Sequence, residues 1–328
     1  MTAVLTTFLL SVIFCGLYQR FARARQFLDA PNERSSHLHP TPNGGGVALL
    51  PAFTLGLLLA ARLYGAWDES FITLAIAAVV LMVLGVIDDL RGLSVRLRLA
   101  LYSLVCLLVA ALLLHALHTE GIWCGGALVL LAAVAMLCAL NLYNFMDGID
   151  GIAALQTVLA CCGAALLSWG TGHGGHYALF CLILAAAHSG FLIWNYPPAR
   201  LFMGDAGSIP TGFLLAAMAL IGALQGLLNP LCWFVLLAVF ITDATWTLVW
   251  RMGSGQAFTQ PHRLHAYQRL SRYWASHSRV DMLVLAITSL WLLPLASAVQ
   301  IWPEHSPFLV ILAYLPLLCA MAKIRRLA

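Results

Sequence analysis

The sequence predicts an all-α, polytopic membrane bundle of about eleven spanning helices, and three observations predict it. Of the 328 residues, 62% are hydrophobic and only 9% are charged, whereas an ordinary soluble domain is about 25% charged. The apolar residues fall into runs near the ~20-residue length that crosses a bilayer. The 17 lysines and arginines are sorted almost entirely into alternate gaps between those runs.

Taken in order, the runs lie near 2–19, 44–63, 71–87, 99–117, 127–143, 152–169, 177–195, 207–228, 230–250, 282–300 and 308–322. The first lacks a basic start and a small-residue cleavage site, so it reads as a spanning helix rather than a cleaved signal peptide. The second opens with Gly44-Gly45-Gly46, and the third closes on Asp88-Asp89. The fifth leads into Asn141–Gly151, and the eighth follows Phe202–Ser208. Only Asn229-Pro230 separates the eighth from the ninth, which predicts a short turn there. With the N-terminus outside and the C-terminus cytoplasmic, every basic residue except Arg62 falls on the inner side, as positive-inside sorting requires.

The whole chain, 1–328, reads as one integral-membrane domain, with inner loops near 20–43, 88–98, 144–151, 196–206 and 251–281. The basic residues are spread over several loops, which excludes a nucleic-acid stripe. The nine cysteines contain no CxxC and mostly lie inside apolar runs. They read as small packing residues, not as disulfides or a zinc site.

The acids carry the chemistry. A carboxylate in or beside a bilayer is costly and marks function by default. Asn144, Asp147 and Asp150 are spaced by three, which on a helix puts them on one face, and acids beside glycines point to a cation site. Asp88 and Asp89 end a helix, where negative charge opposes the macrodipole and the two acids repel one another. A divalent cation or nearby arginines would relieve both costs. Asp205 stands between glycines, and Ser208 adds a hydroxyl at a predicted helix start that would attract phosphate. In the first inner loop, Arg34 can grip phosphate bidentately, and Asn43 with Gly45 opens a helix as a further anion site. His262, Arg263 and His265 form a cationic segment suited to diphosphate or to lipid head groups. His115, His118, His173, His176, His188, His277 and His305 show no partner pattern and read as structural or surface residues. Asp243 is the one acid inside an apolar run. No HExxH, Walker loop or GxSxG elbow occurs. Carboxylates for a hard cation, plus arginines and helix N-termini for phosphate, are the parts of phosphoryl transfer.

These motifs, PNERSSH with PTPNGGG, GVIDDL, NLYNFMDGIDG, FMGDAGS and PHRLHAYQ, resemble those of the polyprenyl-phosphate N-acetylhexosamine-1-phosphate transferases, in that family's order and over nearly the whole chain. The resemblance implies transfer of a sugar 1-phosphate from a UDP-N-acetylhexosamine to undecaprenyl phosphate at the cytoplasmic face of the inner membrane, with Mg²⁺, or alternatively Mn²⁺, as cofactor. It implies Asp205 as principal metal ligand with help from Asp88, and Asp88 or Asp89 near the lipid phosphate, where one of them acts as base. Asn144, Asp147 and Asp150 would serve the sugar nucleotide, and His265 with Arg263 the diphosphate. A homodimer is one arrangement found among related enzymes, and a two-step route through an aspartyl-phosphate is an alternative mechanism.

The chain departs from the family in the last motif. Many members read proline-aspartate-arginine-x-histidine-x-histidine-histidine, whereas here His262 replaces the aspartate, and Tyr267 and Gln268 replace the last two histidines. That favours the branch that begins O-antigen or related surface-polysaccharide synthesis over the phospho-N-acetylmuramoyl-pentapeptide enzyme. An ion-coupled transporter is the reading from another class; it requires ionisable groups near the midplane, and only Asp243 qualifies.

Overall fold

A computed structural model describes residues 1–30, 40–115, 122–170, 174–255 and 263–327. Eight long apolar helices come first: α1 (Thr2–Ala24), α2 (Gly46–Tyr64), α3 (Glu69–Arg91), α4 (Val95–His115), α5 (Ile122–Met146), α6 (Ile152–Trp169), α7 (Gly175–Asn195) and α8 (Asp205–Leu224). Two short strands, β1 (Leu28–Asp29) and β2 (Thr41–Pro42), pair antiparallel between α1 and α2, with Leu28 opposite Pro42. Two shorter helices follow, α9 (Pro230–Leu236) and α10 (Ala238–Gly253), with a 73° bend between them. Next comes α11 (Ala266–Trp274), amphipathic and too short to span. The last spans are α12 (His277–Ile287) continuing into α13 (Leu293–Ile301), and α14 (Ser306–Ile324). The described residues thus hold ten helices able to cross a membrane, or eleven if the bent pair counts as one span. The chain is a polytopic helical membrane protein.

Two features differ from the expected straight spans. The run 230–250 is broken at Leu237, a bend that the continuous apolar content hides in the sequence. Between α12 and α13, Thr288–Leu292 forms a π turn just before Pro294, which has no N–H to continue the helical ladder.

The loops are shorter than the sequence implied. Asp88–Arg91 finish α3 and Val95–Arg98 begin α4, so the expected loop near 88–98 is only Gly92–Ser94. Arg20 and Arg23 belong to α1, Asp205 begins α8, and the segment near 251–281 contains α11.

The core is built around α8, which packs on α3 and α5, while α1 packs on α2 and α7. Hydrogen bonds tie the C-terminal ends of α3 and α5 and the N-terminal ends of α2, α4 and α8 together at one end of the bundle. Side-chain-free positions let these ends meet. A Cβ on Gly85 of α3 would strike the backbone of Asp205 and Ala206, and one on Gly46 would strike the backbone of Ala206 and Gly207.

Candidate active site

Asp88 and Asp89 are about 100° apart around α3, so they face different neighbours. Asp88 is buried. Its Oδ1 accepts from the Leu93 amide at 2.7 Å, and its Oδ2 accepts from Arg98 Nη1 at 2.6 Å. Asp89 reaches across to α8, where Oδ1 accepts from the Asp205 amide and Oδ2 from the Ala206 amide, each at 3.2 Å. A carboxylate on one helix therefore caps the N-terminus of another, satisfying two amides that the helix itself cannot.

Asp205 is the centre of the cluster. Its Oδ2 shares Arg98 Nη1 with Asp88, at 3.3 Å. Its Oδ1 accepts from Asn144 Nδ2 at 2.7 Å, and the same amide group donates to Ser208 Oγ at 2.7 Å. The structure thus brings Asp88, Asp89, Asn144, Asp205 and Ser208 into one constellation. The guanidinium of Arg98 stands between two carboxylates, a place for positive charge that the sequence had shown only as one more inner-side arginine. Its signal was available: Arg98 lies one turn inside α4, directly after the acidic helix end.

The two expected anion sites at helix starts are not open. The amides of Gly45 and Gly46 donate to the carbonyls of Phe202 and Met203, at 2.8 and 3.0 Å. Asp89 takes the first amides of α8, and those of Gly207 and Ser208 donate to Gly204 O. The glycine run serves close backbone packing against the 202–207 segment. Asn43 belongs to this packing: its carbonyl accepts from the Tyr18 hydroxyl at 2.9 Å, and its Oδ1 lies against Gly204.

Asn144, Asp147 and Asp150 do not share a helix face, because α5 ends at Met146 and the chain turns. Asp147 lies just beyond that end. Burial, then the charges of Asp205, Asp89 and Asp150, push its carboxyl up to about 7. Asp150 turns away: its Oδ2 accepts from the Ala199 amide at 3.0 Å and pairs with His277 Nδ1 at 3.2 Å. His277 therefore has a partner that the sequence did not reveal. Of the other histidines read as structural, His188 is buried and contacts Leu184 O and Thr211 Oγ1.

A second polar region stands beside the cluster. Asp243, buried in α10, accepts from His265 Nδ1 at 3.2 Å, the Ala266 amide at 2.9 Å, the Tyr267 amide at 3.0 Å and Thr247 Oγ1 at 3.2 Å. The lone acid of an apolar run is thus the cap of α11 and the group that orients His265. The Tyr267 hydroxyl donates to Phe145 O at 3.0 Å, docking α11 on the end of α5. His265 contacts Asp243 and stacks on Tyr267, and Arg263 precedes it on the same segment. Arg34 and His262 lie outside the described residues.

Mg²⁺ fits the donor set. It is a hard cation that takes one or two carboxylates and completes its shell with water and substrate phosphates. Asp88 and Asp205, which now share Arg98, are the two carboxylates that would offer oxygens to such an ion. Among the described residues no three acidic, histidine or cysteine side chains form a ready-made cage.

The glycosyl transferase family 4 model matches residues 71–223, from α3 through most of α8. A protein of Bacillus subtilis (strain 168) described as a probable undecaprenyl-phosphate N-acetylglucosaminyl 1-phosphate transferase is 27% identical over 292 residues, covering 86% of this chain and 80% of that protein. The decaprenyl-phosphate N-acetylglucosaminephosphotransferase of Mycobacterium tuberculosis (strain CDC 1551 / Oshkosh) is 32% identical over 295 residues, with 77% and 71% covered. The phospho-N-acetylmuramoyl-pentapeptide-transferase of Geobacillus sp. (strain WCH70) is 30% identical over 247 residues, with 69% and 76% covered. The chain belongs to the polyprenyl-phosphate N-acetylhexosamine-1-phosphate transferase family and is an enzyme of phospho-sugar transfer.

Proposed function

Given that membership, we propose that the protein transfers N-acetylhexosamine 1-phosphate from a UDP-sugar to a polyprenyl phosphate, with undecaprenyl phosphate as the expected acceptor, and releases UMP. The observation that carries this reading is the convergence of Asp88 and Asp205 on Arg98 at the bundle end, beside an apolar cavity of about 260 Å³ between α5, α8, α9 and α10. Tyr143, Gly212, Leu215, Trp233, Phe234 and Phe240 are among its walls. Tyr143 is the chain neighbour of Asn144, and Phe234 is half exposed at the outer edge. A polyprenyl tail in this cavity would bring its phosphate next to the acid cluster.

In this reading an oxygen of the lipid phosphate attacks the β-phosphorus of the UDP-sugar. The bond from that phosphorus to the bridging oxygen breaks, and UMP leaves with the bonding electrons. Mg²⁺, or Mn²⁺ in its place, would be held by Asp205 and Asp88 and would supply positive charge to the diphosphate oxygens. Arg98 contributes a fixed positive charge beside the same oxygens. Asn144 aims the Asp205 carboxylate, and Asp89 fixes its backbone. The second pKa of a phosphate monoester is about 6, so the acceptor is already largely dianionic near neutral pH. Proton removal by Asp88 or Asp89 therefore adds little, and positioning and charge neutralisation dominate. His265 and Arg263 stand on the α11 side for the donor diphosphate. Asp147 borders the sugar nucleotide, and Asp150, held by the Ala199 amide and His277, fixes the loop that carries it.

The finer reading is initiation of O-antigen or a related surface polysaccharide, at the cytoplasmic face of the inner membrane with the N-terminus outside. The side distribution of the basic residues supports that orientation. Cell-wall muramoyl-pentapeptide transfer is the second reading, favoured by the similarity to the Geobacillus protein. Tyr267 and Gln268 weigh against it, since both are buried where the family pattern places histidines. Ion-coupled transport loses its single deep acid, because Asp243 is engaged in capping α11.

The test is UMP release by purified protein with undecaprenyl phosphate, Mg²⁺ and a panel of UDP-N-acetylhexosamines. Release with at least one sugar, and exchange of labelled UMP back into it, is expected. Release only with UDP-N-acetylmuramoyl-pentapeptide would move the protein to the second reading.

A further inference from the structure

At the α10–α11–α14 junction several cations gather, and the one acid of these three helices, Asp243, is taken by His265, Thr247 and the first amides of α11. Arg269 and Arg272 lie on α11, and Lys323, Arg325 and Arg326 lie at the end of α14 and just after it. Among the described residues, none of these five pairs with a side-chain acid. The residues between 255 and 263 contain no acid either. Where the two α11 guanidinium groups have hydrogen-bond partners, these are backbone carbonyls. Arg269 Nη1 donates to Leu327 O at 2.9 Å and Arg325 O at 3.2 Å, and its Nε donates to Leu264 O at 3.2 Å. Arg272 Nη2 donates to Arg263 O at 3.0 Å. Burial, then the charges of Arg263 and Arg269, pull the Arg272 pKa down. Arg263 and Arg269 thus add repulsion at Arg272, which a bound anion would relieve.

Beside these cations is a shallow surface recess of about 20 Å³, with Trp246, Trp250, Leu264 and Met321 among its walls and Arg269 and Arg325 also lining it. The Arg325 guanidinium lies 4.4 Å from the Trp250 ring centroid, a cation–π arrangement. On the outer surface of the same helices, Val249, Met252, Leu315 and Leu318 are exposed apolar side chains, as a lipid-facing surface requires. Lining arginines, aromatic wall and adjoining lipid-facing surface together match one ligand chemistry.

We propose that this junction binds the phosphodiester head group of an anionic phospholipid such as phosphatidylglycerol, with its acyl chains along α10 and α14. Basic recesses between spanning helices serve anionic head groups in this way. The bound lipid would tie α11 to the end of α14. Because α11 begins directly after His265, lipid composition would then act on the placement of that side chain. The proposal concerns binding and stands whether or not the transfer reaction is as described above.

The experiment compares the intact protein in phosphatidylcholine nanodiscs with and without phosphatidylglycerol, reading thermal stability. Phosphatidylglycerol is expected to raise the wild-type melting temperature by about 3 °C. The pair Arg272→Gln and Arg325→Gln should lose most of that rise. The control pair Arg20→Gln and Arg23→Gln, on exposed α1 positions away from the junction, should keep it. If the double variant does not fold, Arg272→Gln alone, at an exposed position, should lose a measurable share. The proposal is overturned if the wild type does not respond, or if the control pair loses as much as the junction pair. It is equally overturned if soluble pyrophosphate in phosphatidylcholine nanodiscs reproduces the whole shift, which would assign the arginines to a soluble anion.

Discussion

Two buried polar regions meet at one end of the bundle, and their acids do opposite work. Around Asp243, both carboxylate oxygens are used: Oδ1 serves His265, Ala266 and Thr247, and Oδ2 serves Tyr267. Around Asp88 and Asp205, two carboxylates compete for a single arginine, with Asp89 and Asp147 close enough to add charge. The oxygens of Asp88, Asp89 and Asp205 are hydrogen-bonded too, so the difference lies in charge: several acids share one arginine, an arrangement that a cation would relieve. Asp89 shows that the contrast can separate chain neighbours, since its two oxygens cap α8 while Asp88 faces Arg98.

The comparison can be broken by mutation. Asp88→Asn keeps an acceptor for the Leu93 amide but removes the charge facing Arg98; UMP release should fall about 10³-fold, the order lost when one preorganised electrostatic contact is removed. A fall accompanied by loss of folded protein would return Asp88 to the structural side. Asp243→Ala should do the reverse. Unpairing His265 and two buried amides should cost about 3 kcal/mol of stability, and circular-dichroism melts should show it at every pH. Its activity loss, about 10²-fold through misplacement of His265, should be smaller than that of Asp88→Asn.

Asp89→Ala removes a cap and should cost about 1 kcal/mol, read as a modest drop in melting temperature. If Asp89 were instead the essential base, activity would vanish with no stability change. The smallest effect is the pH dependence of Asp147. Its folded pKa is about 7, against about 3.9 unfolded, so the folded state holds an extra proton between those values. Stability from this group is therefore fully present below about 4 and declines as pH rises towards 7. Asp147→Asn should flatten that decline, so that the variant melts higher than wild type at pH above 7 while transferring less. Parallel pH profiles for the two proteins would remove Asp147 from the stressed set.

Much of this was legible in the sequence. Hydropathy gave the spans, since apolar length is what a bilayer demands, and acids in a greasy chain pointed to the cluster at the bundle end. Asp88, Asn144, Asp205 and Ser208 converge as the ordered motifs implied. What could not be read depended on contacts distant in sequence. Nothing local distinguishes Asp88 from Asp89 until α8 supplies two amides to one of them. Asp243 looked like a possible ion path because, Thr247 apart, its partners begin 22 residues away, at His265. The Gly44–Gly46 run resembled an anion cradle, yet it faces the glycine-bearing 202–207 segment, and two backbones without Cβ atoms pack on each other. The spacing of Asn144, Asp147 and Asp150 assumed a helix that ends at Met146, before the latter two.

The most direct test is Asp205→Asn, assayed for Mg²⁺-dependent UMP release and for melting temperature in the same preparation. Asparagine keeps the shape and an acceptor for Asn144 while removing one of the two charges competing for Arg98. The predicted result is a loss of about 10³-fold in transfer with a melting temperature equal to or above that of wild type. Activity within a few fold of wild type, at any stability, would contradict the assignment of this cluster as the transfer site.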